Sequence, residues 1–120
     1  MNIEDYREYC LAKPGTTEDL PFDEDTLVFK VMGKMFALTS LSSTDFTVNL
    51  KCDPDKAIEL REEYDEIKPG YHMNKKHWNT VTFDGDLSDN LLKELIDHSY
   101  EMVVKKMTKK LREELKNLKK

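Results

Sequence analysis

The sequence predicts an α+β protein in two layers, in which helices cover one face of a mainly antiparallel sheet. Three observations support this prediction. Apolar residues recur at helical spacing near both ends of the chain, three segments between residues 26 and 51 alternate in polarity, and only short turns separate those segments. At 120 residues the chain has the length of a single domain.

The first helix is predicted over residues 2–12. Asn2 is a suitable N-cap, acidic side chains follow in the first turn, and Tyr6 and Cys10 share one face. A Pro-Gly pair then ends the helix. The polar and acidic residues 14–25 are predicted to form a loop.

Three strands are predicted next, over Thr26–Met32, Met35–Thr39 and Asp45–Lys51. Short turns at residues 33–34 and 41–44 separate them. Each strand is apolar on one side and polar on the other, so each is expected to have one face in the core and one in water. The residues expected to face the core are Leu27, Phe29, Val31, Phe36, Leu38, Phe46, Val48 and Leu50.

The second half of the chain supplies two helices and one further strand. Asp53, followed by proline, begins a helix that is predicted to continue to about Tyr64. A loop or hairpin tip at residues 71–76 precedes a strand predicted over His77–Phe83. Ser88 then caps a long helix. Its inward stripe is predicted to contain Leu91, Leu92, Leu95, Ile96, Ser99, Val103 and Met107.

The sheet face that points away from the helices is expected to be open to water. This open face is predicted to be polar and mildly basic, with one tryptophan. A shift of one residue in any strand would invert the contribution of that strand. The residues expected on the open face are Lys30, Thr39, Thr47, Asn49, Lys51, Trp78 and Thr80.

Charges are unevenly distributed along the chain. The net charge is −5, which argues against indiscriminate binding to nucleic acid. Residues 1–29 carry eight acids and two bases, whereas residues 104–120 carry eight bases and two acids. Residues 68–83 contain three lysines, two histidines and no acid. The folded molecule is therefore expected to be an electric dipole, although solvated faces and a basic tail explain the same pattern.

Composition and motifs exclude several classes of protein. No apolar run approaches the ~20 residues of a membrane span, and the acidic N-terminus is unlike a secretory signal, so a cytoplasmic protein is expected. The sequence has no nucleophile elbow and no phosphate-binding glycine loop, and no catalytic acid or base can be singled out. We therefore expect a protein that is not an enzyme and carries no cofactor. Cys10 and Cys52 are expected to be buried, reduced thiols, because a structural zinc site needs four ligands.

Two weak metal-binding patterns are present. Acids at residues 4–8 and 19–25 could together hold a hard cation through oxygen ligands. Complementing the helix dipole and keeping the protein in solution explain the same acids without a metal. His72 and His77 could approach one another across a loop, but loop histidines are commonly ordinary surface residues. We therefore predict no metal site.

The segment from Lys68 to Thr80 is the most distinctive in the chain. Its sequence is Lys-Pro-Gly-Tyr-His-Met-Asn-Lys-Lys-His-Trp-Asn-Thr. Lysines and a protonated histidine can neutralise phosphates, amides can bond to phosphates or base edges, and aromatic rings can stack on bases. A structural hairpin with aromatic residues in the core explains the same composition. The residues concerned are Tyr71, Asn74, Lys75, Lys76, His77, Trp78 and Asn79.

Five separated motifs occur along the chain. They are Pro-Gly-Thr-Thr-Glu-Asp-Leu-Pro-Phe at 14–22, Val-Phe-Lys-Val-Met-Gly-Lys-Met-Phe-Ala at 28–37, Leu-Lys-Cys-Asp-Pro at 50–54, Lys-Pro-Gly-Tyr-His-Met-Asn-Lys-Lys-His-Trp-Asn-Thr-Val at 68–81 and Leu-Ile-Asp-His-Ser-Tyr at 95–100. Together, and in this order, they resemble the MmcQ/YjbR family of small bacterial proteins. Residues 1–107 are therefore interpreted as a single MmcQ/YjbR-like domain. Residues 108–120 lie outside the pattern and are interpreted as a basic helical extension or tail.

The resemblance implies a CyaY-like (frataxin-like) α+β fold, with N- and C-terminal helices on an antiparallel sheet. It also implies DNA binding through two hairpin wings, here around residues 33–34 and 74–76. We expect phosphate contacts at these two hairpin tips and on the open face of the sheet. We expect such binding to be weak and sensitive to salt. The candidate contact residues, including two amides from the segment described above, are Lys30, Lys34, Lys51, Asn74, Lys75, Lys76, His77, Trp78 and Asn79.

The frataxin-like fold gives a second hypothesis. Frataxins bind iron along an acidic first helix and a strand edge, and they meet protein partners through a sheet face that carries tryptophan. By analogy alone, the acidic region 4–25 could bind a metal and the Trp78 face could dock a protein. An adaptor that uses only the Trp78 face is a third hypothesis. In each case we expect a monomer.

Overall fold

The computed structural model describes residues 1–71 and 73–118, which contain four helices and six strands. None of these helices is long and apolar enough to cross a membrane. The helices are α1 (Ile3–Leu11), α2 (Pro54–Glu63), α3 (Asp89–Lys105) and α4 (Lys109–Leu118). The strands are β1 (Thr16–Asp19), β2 (Thr26–Val31), β3 (Lys34–Ser40), β4 (Thr47–Lys51), β5 (Ile67–Pro69) and β6 (Trp78–Thr82).

All six strands form one antiparallel sheet in the order β1-β2-β3-β4-β6-β5, and the main core lies between one face of this sheet and the helices. The ring of Tyr6 in α1 packs edge-on against three phenylalanines, with centroid distances of 5.3–5.5 Å. Such pairs add ~0.5–1.5 kcal/mol each beyond the burial of their area. The predicted two-layer α+β fold is confirmed. The three phenylalanines are Phe29, Phe46 and Phe83.

The predicted helix starts are also confirmed. Asn2, Asp53 and Ser88 each precede a helix, and their side-chain oxygens accept hydrogen bonds of 2.8–3.2 Å from backbone N–H groups of the first turn. These N–H groups have no partner within the helix, so each cap contributes ~1 kcal/mol to stability.

The two edge strands were not predicted. Residues 14–25 were expected to be a loop, which is wrong for Thr16–Asp19, because this segment forms β1 and pairs with β2. Its four residues are polar, so they give no alternation of polar and apolar side chains. Strand β5 at the opposite edge has only three residues and includes Pro69, which an edge strand tolerates.

The turn between β2 and β3 is centred on Met32 and Gly33, one residue earlier than predicted. Their φ angles are 50° and 81°, and two positive φ angles in succession are the geometry of a type I′ hairpin. A β-bulge follows, because the pairing of β2 with β3 skips Phe36 at the step from Phe29 to Lys30.

This bulge changes which residues of β3 face the core. Phe36 remains in the main core, but Leu38 lies on the open face, in a small apolar cluster with Val28 and Trp78. The prediction that Leu38 faces the core is therefore wrong. Thr39, predicted on the open face, is instead buried opposite core residues of β2 and β4. The other strand residues predicted to face the core do so.

The long helix is predicted correctly as far as Lys105, and its inward stripe packs in the core. The chain then leaves the helix, and the hydroxyl of Thr108 accepts a hydrogen bond from the first turn of α4. Leu115 of α4 is buried against the main core, whereas Leu118 is exposed. Residues 119–120 of the predicted basic tail lie outside the described residues.

Both cysteines are buried and unpaired, as predicted. Burial raises the pKa of the Cys10 thiol to about 12 and that of the Cys52 thiol to about 11. At neutral pH both groups are therefore protonated, and a protonated thiol lacks the reactivity of a thiolate.

Candidate nucleic-acid interface

The antiparallel order of the strands brings several bases to one end of the sheet. The β2–β3 turn lies at this end, as do Lys51 at the end of β4 and its pairing partner Trp78 at the start of β6. Lys106, directly after α3, is close enough to act electrostatically on both Lys51 and His77. We call the following set the basic end: Lys34, Lys51, Lys76, His77 and Lys106.

A groove of about 430 Å³ opens at the basic end. Three of its lining side chains carry ammonium groups, and among the described residues no carboxylate lines it. Its remaining surface is apolar, so the field of the ammonium groups is screened less there than at an open surface. We call this the basic groove. Its lining residues are Gly33, Lys34, Met35, Lys51, Trp78, Val103, Lys106 and Met107.

Like charges crowd one another at the basic end. The pKa of Lys51 is lowered by burial and by the ammonium of Lys106. The pKa of His77 is lowered by burial and by three lysines of the basic end, whereas Asp53 acts in the opposite direction. Within residues 1–71 and 73–118, none of the four lysines of the basic end forms an ion pair. A bound anion would relieve this repulsion.

Hydrogen bonds shape the turn that leads into β6. The backbone carbonyl of Asn74 accepts from the N–H groups of His77 and Trp78, at 3.2 and 3.0 Å. The side-chain oxygen of Asn74 accepts from the N–H of Lys76 at 2.9 Å. Asn74 is therefore committed to the turn, and its role is to position Lys76 and His77.

Arg61 of α2 ties this turn to the helical layer. Its guanidinium donates to the side chain of Asn79 at 2.7 Å, to the carbonyl of Trp78 at 3.2 Å and to the carbonyl of Lys75. The ammonium of Lys75 in turn donates to the carbonyl of Gly70 at 3.1 Å. Charged donors make the stronger class of hydrogen bonds, so the turn that contains Asn74, Lys75 and Lys76 is firmly held in place.

Trp78 forms the floor of the site and does not present a ring face to solvent. It is 8% exposed and packs on the open face with Val28 and Leu38, with two methionines against them. The ammonium of Lys51 lies 5.9 Å from the centre of its ring. Of the two aromatic residues expected to stack on bases, only Tyr71 is exposed, at 69%.

A family model described as YjbR matches residues 11–102. The chain belongs to the YjbR family. The uncharacterised protein YjbR of Escherichia coli K12 is 36% identical over 104 residues, which cover 87% of this chain and 88% of the relative. The uncharacterised protein YbdF of Escherichia coli O157:H7 is 45% identical over 91 residues, which cover 75% and 74%. The resemblance noted from the motifs is thereby confirmed.

Solved structures show the same fold. A Deinococcus radiodurans protein, described as a DUF419 domain, superposes with a TM-score of 0.89 and 46% sequence identity, covering 95% of this chain and 87% of that one. A Pseudomonas syringae protein superposes with a TM-score of 0.72 and 29% identity, covering 85% and 98%. These likenesses support the sheet and the helix positions on which the basic end depends.

Two predicted contact residues of this YjbR-family protein lie away from the basic groove. Lys30 is on the open face, but its ammonium lies 3.7 Å from a carboxylate oxygen of Asp19 on β1. Asn79 is 2% exposed and faces the helical layer, where it accepts from Arg61. The structure places the others at the basic end, in the turn that precedes β6 or in the floor of the groove.

Two residues that shape the site were not among the sequence candidates. Lys106 was counted only among the eight bases of residues 104–120, although it directly precedes Met107 of the predicted stripe. Arg61 was placed on α2 without a role. It follows the buried Ala57 by four residues, and this helical spacing points it toward the sheet.

The acidic N-terminal region has structural partners. Glu18 pairs with Arg7, and the pKa values of Asp23 and Asp25 are lowered by hydrogen bonds from Thr26 and from serines of the neighbouring segment. In the part of the chain that the structure describes, no three acid, histidine or cysteine side chains are grouped to hold a metal ion. His72, which was considered with His77 as a weak metal-binding pattern, lies outside the described residues.

Proposed function

We propose that this YjbR-family protein is a non-enzymatic DNA-binding module that holds phosphate groups at the basic end. One observation carries the proposal: the lysines at positions 34, 51 and 106 converge on a groove whose described lining contains no carboxylate. Lysines that lack a protein counter-ion are suited to phosphate, and phosphate contacts supply most of the affinity of non-specific DNA binding.

The net charge of −5 is compatible with such binding because the charges are separated along α3. The ammonium of Met1 pairs with Asp89 at the start of α3, which places the acidic first turn of α1 near that end. Lys106 follows the other end of the helix, about 25 Å away at 1.5 Å per residue. This distance exceeds the Debye length of ~8 Å at physiological salt, so phosphate at the basic end is well screened from these acids.

The proposal predicts a steep dependence of affinity on salt. If each of the four lysines neutralises one phosphate, a plot of log affinity against log salt should have a slope of about −3 to −4 for duplex DNA. Fluorescence anisotropy of a labelled duplex, titrated at several salt concentrations between about 0.03 and 0.3 M, measures this slope. Absence of binding at the lowest salt, or a slope near zero, would contradict the proposal.

Binding should also strengthen as the pH falls. His77 faces Lys51 on β4, Lys76 in its own turn, Lys106 after α3 and Asp53 before α2, and its pKa is below the usual value of 6.5. A bound phosphate favours the imidazolium and raises this pKa, so the complex takes up a proton. The affinity is therefore highest at pH values below the pKa of His77 in the free protein. It declines as the pH rises through the pKa of His77 in the complex.

The same anisotropy titration, repeated between about pH 5.5 and 8, tests this prediction. In the wild type, affinity should change by up to about tenfold per pH unit between the two pKa values, because one proton is linked to binding. His77→Gln keeps a polar side chain that does not titrate, so it should remove this dependence. An equal pH dependence in both proteins would show that another group is responsible.

A further inference from the structure

A second groove lies on the open face of the sheet, beside the basic groove. Its volume is about 580 Å³, within the range of small-ligand sites. Met35 lines both grooves, so the two are neighbours on one surface. We call the second one the open-face groove. Its lining residues are Phe22, Thr26, Met35, Leu38, Thr39, Ser40, Thr47, Asn49, Tyr71, Met73 and Thr80.

Two exposed aromatic side chains line the open-face groove. Phe22 comes from the connection between β1 and β2 and is 63% exposed, and Tyr71 comes from the connection between β5 and β6 and is 69% exposed. Leu38 and Met73 supply further apolar surface. Among the described residues, no charged side chain lines this groove. Its chemistry therefore suits a flat, uncharged ring, which gains by stacking on aromatic side chains.

The polar part of the groove holds one aromatic residue in place. The backbone N–H of Tyr71 donates to the hydroxyl of Thr80 at 2.9 Å, and that hydroxyl donates to the side-chain oxygen of Asn49. The side-chain amide of Asn49 donates to the carbonyl of Tyr71 at 3.4 Å. The backbone of Tyr71 is therefore tied to β4 and β6, so its ring is attached to a fixed position on the sheet.

We propose that the open-face groove holds unpaired bases of a single DNA strand whose phosphates lie at the basic end. This inference rests on the proposed function and names its preferred ligand. A base inside a duplex is covered on both faces by its neighbours and cannot enter a groove lined by aromatic side chains, whereas an unpaired base can. An anionic ligand is favoured because the groove adjoins the three lysines of the basic groove, whose described lining residues include no carboxylate.

Three labelled probes of about ten nucleotides test the inference at one salt concentration: single-stranded oligothymidylate, a strand with the same phosphates but abasic sugars, and the corresponding duplex. Oligothymidylate should bind about tenfold or more tightly than the abasic strand, because stacking adds affinity to the shared phosphate contacts. Phe22→Ala/Tyr71→Ala should lower the affinity for oligothymidylate to that for the abasic strand and leave the affinity for the abasic strand unchanged.

Ile58→Ala is the matched control, since Ile58 is an exposed apolar residue on α2 in the other layer. It should alter none of the three affinities. Equal, salt-dependent binding of oligothymidylate and the abasic strand overturns this inference and leaves the proposed function standing, whereas no binding of any probe overturns the proposed function. If the double variant binds all probes like the wild type, the groove serves another occupant, such as an aromatic side chain of a partner protein, and the inference fails.

Discussion

Lys51→Glu/Lys106→Glu is expected to lower the affinity for duplex DNA about 100-fold or more at about 0.1 M salt. Each lysine that neutralises a phosphate makes the slope of log affinity against log salt steeper by about 0.9. Such a contact therefore raises the affinity nearly tenfold when the salt concentration is lowered from about 1 M to about 0.1 M. Removal of two such contacts lowers the affinity about 60-fold, and repulsion from the new carboxylates raises the loss to about 100-fold or more. The slope of log affinity against log salt should become shallower by about two.

Lys93→Glu separates this local effect from a change in net charge. Lys93 lies in the first half of α3, about 20 Å along the helix from Lys106 at 1.5 Å per residue. It changes the net charge as much as either single substitution at the basic end. Lys51→Glu and Lys106→Glu should each weaken binding by about tenfold or more, and Lys93→Glu by much less. Equal losses in the three single variants would mean that DNA responds only to net charge.

The double variant should remain folded, because the basic end contains mutual repulsion in the free protein. Burial and Lys106 lower the pKa of Lys51, so its positive charge is disfavoured at that position. In the double variant the two new carboxylates repel each other, but they lie among the remaining bases of the basic end, whose attraction offsets this repulsion. The contact of Lys51 with the ring of Trp78 is lost. We expect a melting temperature close to that of the wild type, so loss of binding would report on the interface.

Strong local signals made much of the fold predictable. Asn2, Asp53 and Ser88 mark helix starts because a short polar side chain can satisfy the free N–H groups of the first turn. The alternation in β2 and β4 is visible because the helical layer buries one side chain in two. Strands β1 and β5 lack these signals, because an edge strand pairs on one side only and needs little apolar surface.

Pairing between strands decided the features that local patterns could not supply. Leu38 and Thr39 exchanged faces relative to prediction because a bulge at Phe36 shifts the alternation of β3 by one residue. Nothing in the apolar pattern of β3 itself marks this insertion, since Phe36, Ala37 and Leu38 are all apolar and all buried.

The candidate site was partly predictable for a similar reason. The acid-free segment 68–83 drew attention to Lys76 and His77, and the pairing of β4 with β6 places His77 beside the end of β4, where Lys51 lies. The position of Lys106 depends on how α3 packs on the sheet, which the sequence pattern does not specify. The burial of Trp78 depends on apolar neighbours from β2 and β3, so its exposure could not be inferred from its own strand.

Gly15→Ala is expected to lower the free energy of unfolding by about 3 kcal/mol. Gly15 has a φ of +72°, a conformation that costs an alanine ~1–2 kcal/mol. An added Cβ would also lie 2.7 Å from Cδ1 of Leu115 and 3.1 Å from the sulfur of Met32. Relieving such overlap in a packed core costs ~1–3 kcal/mol more. Urea unfolding followed by circular dichroism measures the change.

Gly33→Ala is a matched control, because Gly33 has a φ of +81° but an added Cβ would meet no atom within 4 Å. It should cost only the conformational term, about 1–2 kcal/mol. The difference between the two variants then isolates the contact that joins the α1–β1 connection to α4. When Gly15→Ala is combined with Leu115→Ala, the overlap between the new Cβ and Cδ1 of Leu115 is gone, so most of that difference should disappear. The effects of the two neighbouring substitutions are therefore not additive. Equal costs for Gly15→Ala and Gly33→Ala would instead show that α4 exerts no pressure at Gly15, and α4 would then be a loosely attached extension of the domain.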